Sequence, residues 1–335
     1  MPSGHRDSGL SSSPGFLTVF ELQRQLVEPL LRTGRFTNTL LDFIFYDVWT
    51  LAAALLARGA VVVTEASSNI PVAGHPLEIL DLSALTNPSG SIIIVDPKLR
   101  PHVRLFRSME NFIEHANGPD GQGLHTLSVT GVGSSALGSV AFAWNISEAI
   151  GEPVAAVVPG YGLADVIPQA LGGWFGFEMY DRLQSATQSL LAQLAPTLAM
   201  IGKDLARTTP GHARAVTGAP IFLHGSAASD DVHAILKDVR SITRLVGHSK
   251  GALAIENALR SLSDSHPEKM SVMTFGCLIA EDHTVADYGQ FLGKLDWLGF
   301  LNSAAQVANY HKPLADHSTN AVIPLSLHVR DLMRV

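Results

Sequence analysis

The sequence predicts an α/β fold in which a mostly parallel central sheet is flanked by helices. Short apolar runs typical of buried strands alternate with longer segments of helical periodicity. Residues 124–158 read as strand, turn, helix and strand, a βαβ unit that requires parallel pairing. The chain has 335 residues, of which 46% are hydrophobic and 16% charged, so it can bury a large core. We therefore expect one domain carrying insertions.

The same patterns divide the chain into parts. Residues 1–15 lack the apolar core of a secretory signal, and they are expected to be a flexible leader. Residues 16–123 are expected to form an N-terminal helical extension and the first strands of the sheet. The core is predicted at 124–162 and 220–335, and the mostly helical segment 163–219 is interpreted as a cap inserted into it.

Turns rich in Pro, Gly and Asn separate the predicted elements. Each element is placed by the period of its apolar residues. The predicted strands lie at 60–64, 91–95, 124–130, 153–158, 220–224, 242–246 and 271–279. The predicted helices lie within 16–58 and at 136–150, 230–239, 252–262 and 324–333.

The segment Leu40 to Ala57 is strongly apolar and nearly long enough to span a bilayer. It contains Asp42 and Asp47, and two carboxylates argue against spanning. With Thr50 they fall near one face of a helix, so the main interpretation is a buried amphipathic helix. Weak membrane or lipid-surface contact through 40–57 is the alternative to a purely cytoplasmic protein.

Composition argues against several function classes. A net charge of −7 without any Lys/Arg run gives no surface that would neutralise phosphates, so nucleic acid is not an expected partner. The single cysteine, Cys277, permits no intrachain disulfide and is expected to be a buried, inert thiol. No His-Glu-x-x-His or Cys-x-x-Cys motif occurs, and we expect neither a metal nor a cofactor.

A Gly-x-Ser-x-Gly pattern is formed by Gly247, His248, Ser249, Lys250 and Gly251. The pattern alone is a weak signal, but here it follows an apolar strand and opens a helix, the setting in which a serine becomes a nucleophile. Glycines leave room for the strained turn, and amides at the helix N-terminus can stabilise negative charge. An ordinary turn with the serine as a helix cap is the alternative.

With this motif in place, the chain resembles the α/β-hydrolase superfamily, in its esterase and lipase-like form, from about Leu124 to the C-terminus without the cap. Residues 126–138 are similar to the family's strand and oxyanion loop, although Thr130 replaces the usual histidine. Residues 153–165 resemble its next strand and Gly-x-Gly-x-x-Asp turn. Residues 230–251 resemble the helix, strand and elbow that follow.

The resemblance implies a triad in the chain order serine, acid, histidine. Residues 288–296 are similar to the family's late strand ending in Gly-x-x-Asp, which implies Asp296 as the acid. A surface helix cap is the alternative role for Asp296. Three other carboxylates follow the preceding strand and compete with it: Glu281, Asp282 and Asp287.

Among fourteen histidines, His317 matches the position of the family's base, in a loop after a short strand. His311 is the second candidate, but it falls within or just after that strand. His328 is predicted on the last helix, solvated or packed. His248, inside the elbow, more often orients or packs than reacts, and His224 lines a pocket or ends its strand.

The resemblance also implies an oxyanion hole of two backbone amides. One belongs to Lys250, the residue after the nucleophile. The other belongs to Val132 or Gly133 in the oxyanion loop. Such donors leave no side-chain signature, so the positions follow from the resemblance alone.

These residues together predict a carboxylic-ester hydrolase that works through an acyl-enzyme. Ser249 would attack the ester carbonyl, His317 would move the proton and Asp296 would orient the imidazole. Aromatic cap residues such as Trp174 and Phe177 favour an ester with an apolar acyl or alkyl part. Thioesterase, amidase and acyltransferase activities use the same groups and stay open.

Two rival interpretations remain. The Gly131–Gly133 turn, between a strand and a helix, is also compatible with a dinucleotide site of an NAD(P)-dependent oxidoreductase. Against it, the second strand ends at Val157 to Pro159 without an acidic residue for the ribose, and no Tyr-x-x-x-Lys pair follows. The other rival is a catalytically inactive binding protein with a hydrolase fold, suggested by the apolar segment 40–57 and by Thr130.

Overall fold

The structure is a computed structural model, and its described residues cover most of the predicted core. They are 41–59, 62–65, 71–74, 91–106, 108–131, 134–159, 227–262, 270–281, 286–303, 307 and 309–334. The predicted leader, the predicted cap and the predicted strand at 220–224 lie outside these residues. His224 and the cap aromatics lie outside them as well.

Nine strands of the described residues form one sheet. In chain order they are β1 (Val62–Glu65), β2 (Pro71–Gly74), β3 (Ile92–Val95), β4 (Val103–Phe106), β5 (Thr126–Val129), β6 (Val154–Val157), β7 (Arg244–His248), β8 (Met270–Phe275) and β9 (Ala286–Phe291). Their spatial order is β2-β1-β4-β3-β6-β5-β7-β8-β9.

The sheet is mixed. Strands β6, β5, β7, β8 and β9 pair in parallel, as predicted for this half of the chain. Strand β3 is antiparallel to both of its neighbours, β4 and β6, and β2 is antiparallel to β1. The predicted α/β class is confirmed, and the parallel pairing is confined to strands β5–β9 and to the pair β1 and β4.

Helices flank the sheet. Those of the described residues with named bounds are α1 (Val48–Ala57), α2 (Met109–Asn117), α3 (Ala136–Ile150), α4 (Ala227–Asp238), α5 (Lys250–Ser261), α6 (Trp297–Asn302) and α7 (Val329–Leu332), with a 3₁₀ turn at Pro119–Gly121. Helix α3 has the predicted bounds. The predicted final helix at 324–333 is shorter, because α7 begins only at Val329.

The apolar segment 40–57 differs from the single amphipathic helix that its sequence predicts. A helical turn at 41–45 breaks at Tyr46 and Asp47 before α1 begins. Asp42 and Asp47 are only 1% and 2% exposed, because this side of the segment faces the protein. Apolar side chains of the segment are exposed instead: Leu41, Ile44, Trp49 and Leu56. Among the described residues, no helix has the length and apolar character needed to cross a membrane.

Two hydrophobic clusters lie on opposite faces of the sheet. Alternate residues of β6 join different clusters, Val154 and Ala156 the first, Ala155 and Val157 the second, as the period of a strand requires. Helices α1 and α3 cover the first face, with the side chain of Trp144 fully buried. Helices α2, α4 and α5 cover the second face. Both faces of the parallel strands are therefore apolar and closed.

The carboxyl ends of the parallel strands meet at one edge of the sheet. Gly131 follows β5 by two residues, Ser249 follows β7 directly, and Gly276 follows β8 directly. The chain after β9 turns back at the same edge, where a single parallel bridge pairs Phe291 with His311. Ligands of open α/β sheets bind at this edge, so the topology gathers the predicted site residues there.

Candidate active site

Ser249 occupies a strained turn between β7 and α5. Its φ of 54° and ψ of −128° lie outside the regions that residues with a side chain normally adopt. A Cβ at Gly247 would lie 2.6 Å from Ala252 Cα, and one at Gly251 would lie 2.2 Å from Val129 O. Both positions therefore require glycine, because the first turn of α5 packs directly against the ends of β5 and β7.

A hydroxyl, an imidazole and a carboxylate form one hydrogen-bonded chain at this turn. The Oγ of Ser249 lies 3.0 Å from His317 Nε2. The Nδ1 of His317 lies 2.8 Å and 3.0 Å from the two oxygens of Asp296. Because a carboxylate only accepts, Nδ1 carries the proton and Nε2 can accept the proton of the serine hydroxyl. The three side chains that the sequence nominated are thus brought together in the order that acyl transfer requires.

Asp296 makes two kinds of contact, one as a helix cap and one with an imidazole. It is the N-cap of α6, where its Oδ1 accepts a hydrogen bond of 2.6 Å from the amide of Gly299, and it also bonds to His317. Its side chain is fully buried rather than on the surface. A Cβ at Gly299 would lie 2.4 Å from Asp296 Oδ2, and one at Gly276 would lie 3.2 Å from the same oxygen. Two glycines therefore make room for the carboxylate.

Those competing carboxylates and histidines that the structure describes are engaged elsewhere or exposed. Glu281 accepts a hydrogen bond from Gln290 Nε2, and Asp287 is exposed on β9. Asp282 lies outside the described residues. His311 stacks on Phe291 with ring centroids 4.7 Å apart. His328 precedes α7 rather than lying within it, and its side chain is partly exposed.

The segment that follows His317 is anchored to the helical turn at 41–45. Three successive polar residues donate hydrogen bonds of 2.8–2.9 Å to carbonyls of that turn. The bonds run from Ser318 Oγ to Ile44 O, from Thr319 N and Oγ1 to Phe45 O, and from Asn320 Nδ2 to Phe43 O. The ring of Phe45 meets the imidazole of His317 edge-on at 5.7 Å. The loop of the candidate base is therefore held from outside the sheet.

His248 and Tyr46 form a second buried hydrogen-bonded chain, which the sequence did not reveal. His248 Nε2 lies 2.9 Å from the carbonyl oxygen of His317, and its Nδ1 lies 2.9 Å from the hydroxyl of Tyr46. That hydroxyl in turn accepts a hydrogen bond of 2.9 Å from the amide of Gly131. Burial, and secondly the charge of neighbouring His317, lower the pKa of His248 to about 3, so its ring stays neutral.

Asp42 organises the loop between β5 and α3. Its Oδ2 accepts hydrogen bonds from the amides of Ser135, at 2.9 Å, and Gly138, at 3.3 Å. Its Oδ1 accepts a hydrogen bond from Ser134 Oγ, and Oδ2 also accepts one from Ser135 Oγ. Burial raises the pKa of Asp42 to about 7, although these hydrogen bonds oppose the rise. The carboxylate therefore occupies the N-terminus of α3.

The loop that carries the predicted oxyanion donors passes close to the serine. A Cβ at Gly131 would lie only 3.3 Å from Ser249 Cβ and 3.7 Å from its Oγ. Lys250 is the first residue of α5, and Val132 and Gly133 lie outside the described residues. Thr130, in the same loop, forms a buried hydrogen bond of 3.0 Å with Ser139 Oγ. Its side chain is thus part of the packing against α3.

No protein-family model, curated protein or solved structure matches this chain.

A cavity of ≈ 300 Å³ lies beside α6 and is lined mainly by apolar and aromatic side chains, among them Trp297, Phe300 and Tyr310. Asp296 reaches this cavity, but Ser249 and His317 are not among its lining residues. The cavity is therefore distinct from the space in front of the serine hydroxyl.

Within the described ranges, no group of three His, Cys, Asp or Glu side chains is placed to hold a metal ion.

Proposed function

We propose that this protein is a serine hydrolase of the α/β-hydrolase type that cleaves carboxylic esters. The observation that carries the proposal is the continuous chain from Ser249 Oγ through the imidazole of His317 to the buried carboxylate of Asp296, with separations of 3.0 Å and 2.8 Å. A nucleophile, a base and an orienting acid in contact are the parts that acyl transfer needs. The strained turn that carries the serine is a second support.

In the proposed reaction, Ser249 Oγ attacks the carbonyl carbon of the ester while His317 Nε2 takes its proton. Asp296 stabilises the imidazolium that forms and keeps the ring in its orientation. His317 then gives the proton to the departing alcohol oxygen as the carbon–oxygen bond breaks, which leaves an acyl-enzyme. Water repeats the sequence, with His317 as base and then acid, and releases the carboxylic acid and free Ser249.

The negative charge that develops on the carbonyl oxygen needs donors. We assign the amide of Lys250, at the N-terminus of α5, and an amide of Val132 or Gly133 to this role. The close approach of Gly131 to Ser249 supports the assignment, since it brings the loop next to the reacting hydroxyl. The loss of one such donor raises a reaction barrier by roughly 3 kcal/mol.

The substrate we propose is an ester with an apolar acyl or alkyl part. The support is the composition of the segment 163–219, which is rich in Leu and Ala and contains Trp174 and Phe177. Hydrolysis of thioesters and transfer to an acceptor other than water would use the same three groups. Lipid-surface contact through 40–57 remains a proposal, supported by the exposure of Ile44 and Trp49.

The surroundings of the loop after β5 favour a hydrolase over a dinucleotide-binding oxidoreductase. A dinucleotide places its pyrophosphate on the amides at the N-terminus of the following helix. Here Asp42 already accepts hydrogen bonds from the amides of Ser135 and Gly138 at the start of α3. An anionic pyrophosphate would have to displace this buried carboxylate, or lie beside its charge.

Ester turnover by the full chain tests the proposal. We expect the purified protein to hydrolyse p-nitrophenyl acetate, butyrate and octanoate, with a preference for the longer acyl chains. Ser249→Ala is expected to abolish turnover. Ser241→Ala is the matched control, because Ser241 lies at the opposite end of β7 and the His125 side chain bonds only to its main-chain carbonyl. Activity that survives in Ser249→Ala would show that another group is the nucleophile.

A further inference from the structure

We infer that Tyr46 and His248 are positioning residues that hold two loops in a fixed arrangement around Ser249. One is the oxyanion loop after β5, and the other is the loop that carries His317, called the base loop below. The inference rests on the proposed function, since it assigns these loops a catalytic task. The pair joins Gly131, which opens the loop after β5, to the carbonyl of His317, in the loop after β9. Neither side chain is proposed to touch the substrate.

The direction of every hydrogen bond in the chain follows from its fixed end. The carbonyl oxygen of His317 can only accept, so His248 Nε2 carries a proton and donates it. The neutral ring then has a lone pair on Nδ1, which accepts from the hydroxyl of Tyr46. The same hydroxyl oxygen accepts from the amide of Gly131. Any other tautomer or rotation would leave a buried polar group without a partner, which is costly.

Burial makes the arrangement rigid. Tyr46 is 3% exposed and His248 is 1% exposed. Their rings meet edge-on at 5.3 Å, and the ring of Phe142 contacts both, at 6.0 Å and 5.9 Å. Close packing leaves these rings no alternative position, so the two loops that they connect are fixed relative to each other.

A neutral histidine suits this position. The rings of His248 and His317 lie 5.0 Å apart, and His317 becomes positively charged when it takes the proton of the serine. A second positive charge at this distance would oppose that step. A neutral imidazole instead supplies one donor and one acceptor without adding charge. The pair therefore positions the base without weakening it.

Kinetics of four variants of the full chain test the inference: Tyr46→Phe, His248→Ala, His248→Gln and the double variant Tyr46→Phe/His248→Ala. The substrate is p-nitrophenyl butyrate, and kcat is expressed per site titrated with a fluorophosphonate. Tyr310→Phe is the control, because Tyr310 lines the separate cavity beside α6. Loss of a buried hydrogen bond predicts a fall in kcat of roughly tenfold to a hundredfold for Tyr46→Phe and His248→Ala, with little change in KM.

Two further results are expected. The double variant loses no more than the worse single variant, since the two residues act through one chain. His248→Gln recovers part of the loss of His248→Ala, because its amide can still donate to the carbonyl of His317. An unchanged kcat in Tyr46→Phe, strictly additive losses, or a kcat per titrated site that is the same in all variants would overturn the inference. A merely structural role would lower the number of titrated sites instead.

The histidine tautomer gives a test that needs no active variant. In the wild-type protein labelled with ¹⁵N-histidine, we expect His248 to show the neutral tautomer with the proton on Nε2. A proton on Nδ1, or a ring that is positively charged near neutral pH, would overturn the inference. A wild-type protein that neither hydrolyses esters nor reacts with the probe refutes the proposed function and the positioning role with it. An active wild type with an unaffected Tyr46→Phe refutes the positioning role alone.

Discussion

The ring of His248 donates a hydrogen bond of 2.9 Å to the main-chain carbonyl of His317, so the residue before the candidate nucleophile holds the loop of the candidate base. The turn that carries Ser249 and the loop that carries His317 are therefore held together by a direct hydrogen bond. The buried, neutral ring of His248 sets their separation.

Replacement of Asp296 by asparagine tests the acid. The side chain keeps its shape and can still accept a hydrogen bond from Gly299, but it cannot accept the Nδ1 proton of His317 with a full negative charge. We expect kcat for ester hydrolysis to fall by about 10⁴-fold, because the imidazole loses its productive tautomer. Asp287→Asn, on the exposed side of β9, is the matched control and should keep full activity. A loss of kcat in Asp287→Asn alone would assign the role of the acid to Asp287 instead of Asp296.

Two histidine variants separate the candidate bases. His317→Ala removes the only imidazole within 3.0 Å of Ser249 Oγ in the described part of the chain, and we expect a loss of roughly 10³-fold or more in kcat. His311→Ala removes a ring that stacks on Phe291, so it should affect thermal stability more than turnover. Turnover measured on both variants decides the matter. Retained activity in His317→Ala with loss in His311→Ala would reverse the assignment.

The pKa of His248 predicts an acid-labile contribution to stability. Its value is lowered from 6.5 to about 3, so below about pH 6.5 the unfolded chain binds a proton that the folded chain does not. The free energy of unfolding contributed by this group therefore falls as the pH drops from about 6.5 towards 3. His248→Gln cannot be protonated. Urea unfolding should show its stability relative to wild type rising as the pH falls through this window, and a pH-independent difference would contradict the prediction.

The raised pKa of Asp42 predicts the opposite dependence of the free energy of unfolding on pH. Its pKa is raised from 3.8 to about 7, so its contribution to stability is complete below 3.8 and is lost as the pH rises to about 7. Asp42→Asn avoids the buried charge and keeps one oxygen for the amide of Ser135. Relative to wild type, the free energy of unfolding of Asp42→Asn should rise by about 1–4 kcal/mol between about pH 4 and pH 7 and then stay level. A fall over the same range would mean that the carboxylate is stabilised as an anion.

Gly251 tests the geometry of the elbow. A Cβ there would lie 2.2 Å from Val129 O, a backbone atom that cannot move aside cheaply. Gly251→Ala should lower the free energy of unfolding by about 1–3 kcal/mol, measured by urea denaturation, and should also lower activity. Gly289→Ala is the control, because its Cβ would meet only side-chain atoms at 3.8 Å or more. Equal stability of the two variants would contradict the crowding at the elbow.

The sequence predicted the parts of the fold whose signals are local. The bounds of α3 are predictable because Ser135 caps its start, and Gly151, in the left-handed conformation, ends it. The strand, turn and helix around Ser249 are predictable because an apolar run, a Gly-x-Ser-x-Gly turn and a helical pattern follow one another in the sequence. The antiparallel direction of β3 was not, because the continuous apolar run Ile92–Val95 fits a strand buried on both faces, whatever the direction of its neighbours.

The side chains that contact the candidate site from outside the sheet were not predictable from local patterns. Asp42 and Tyr46 act across the fold, on Ser135, Gly131 and His248, and no spacing in the chain signals such contacts. In the sequence, polar residues within an apolar segment resemble the polar, solvent-exposed face of an amphipathic helix. The available signal was that this apolar segment carries Asp42 and Tyr46, polar side chains that need hydrogen-bond partners when they are buried.

Covalent labelling of the wild-type protein with a fluorophosphonate, followed by peptide mapping, identifies the nucleophilic residue. We expect one adduct per chain, on Ser249, and a rate of labelling that falls sharply in His317→Ala and in Asp296→Asn. Ser241→Ala should be labelled like the wild type. The absence of an adduct, or an adduct on a serine other than Ser249, would contradict the account.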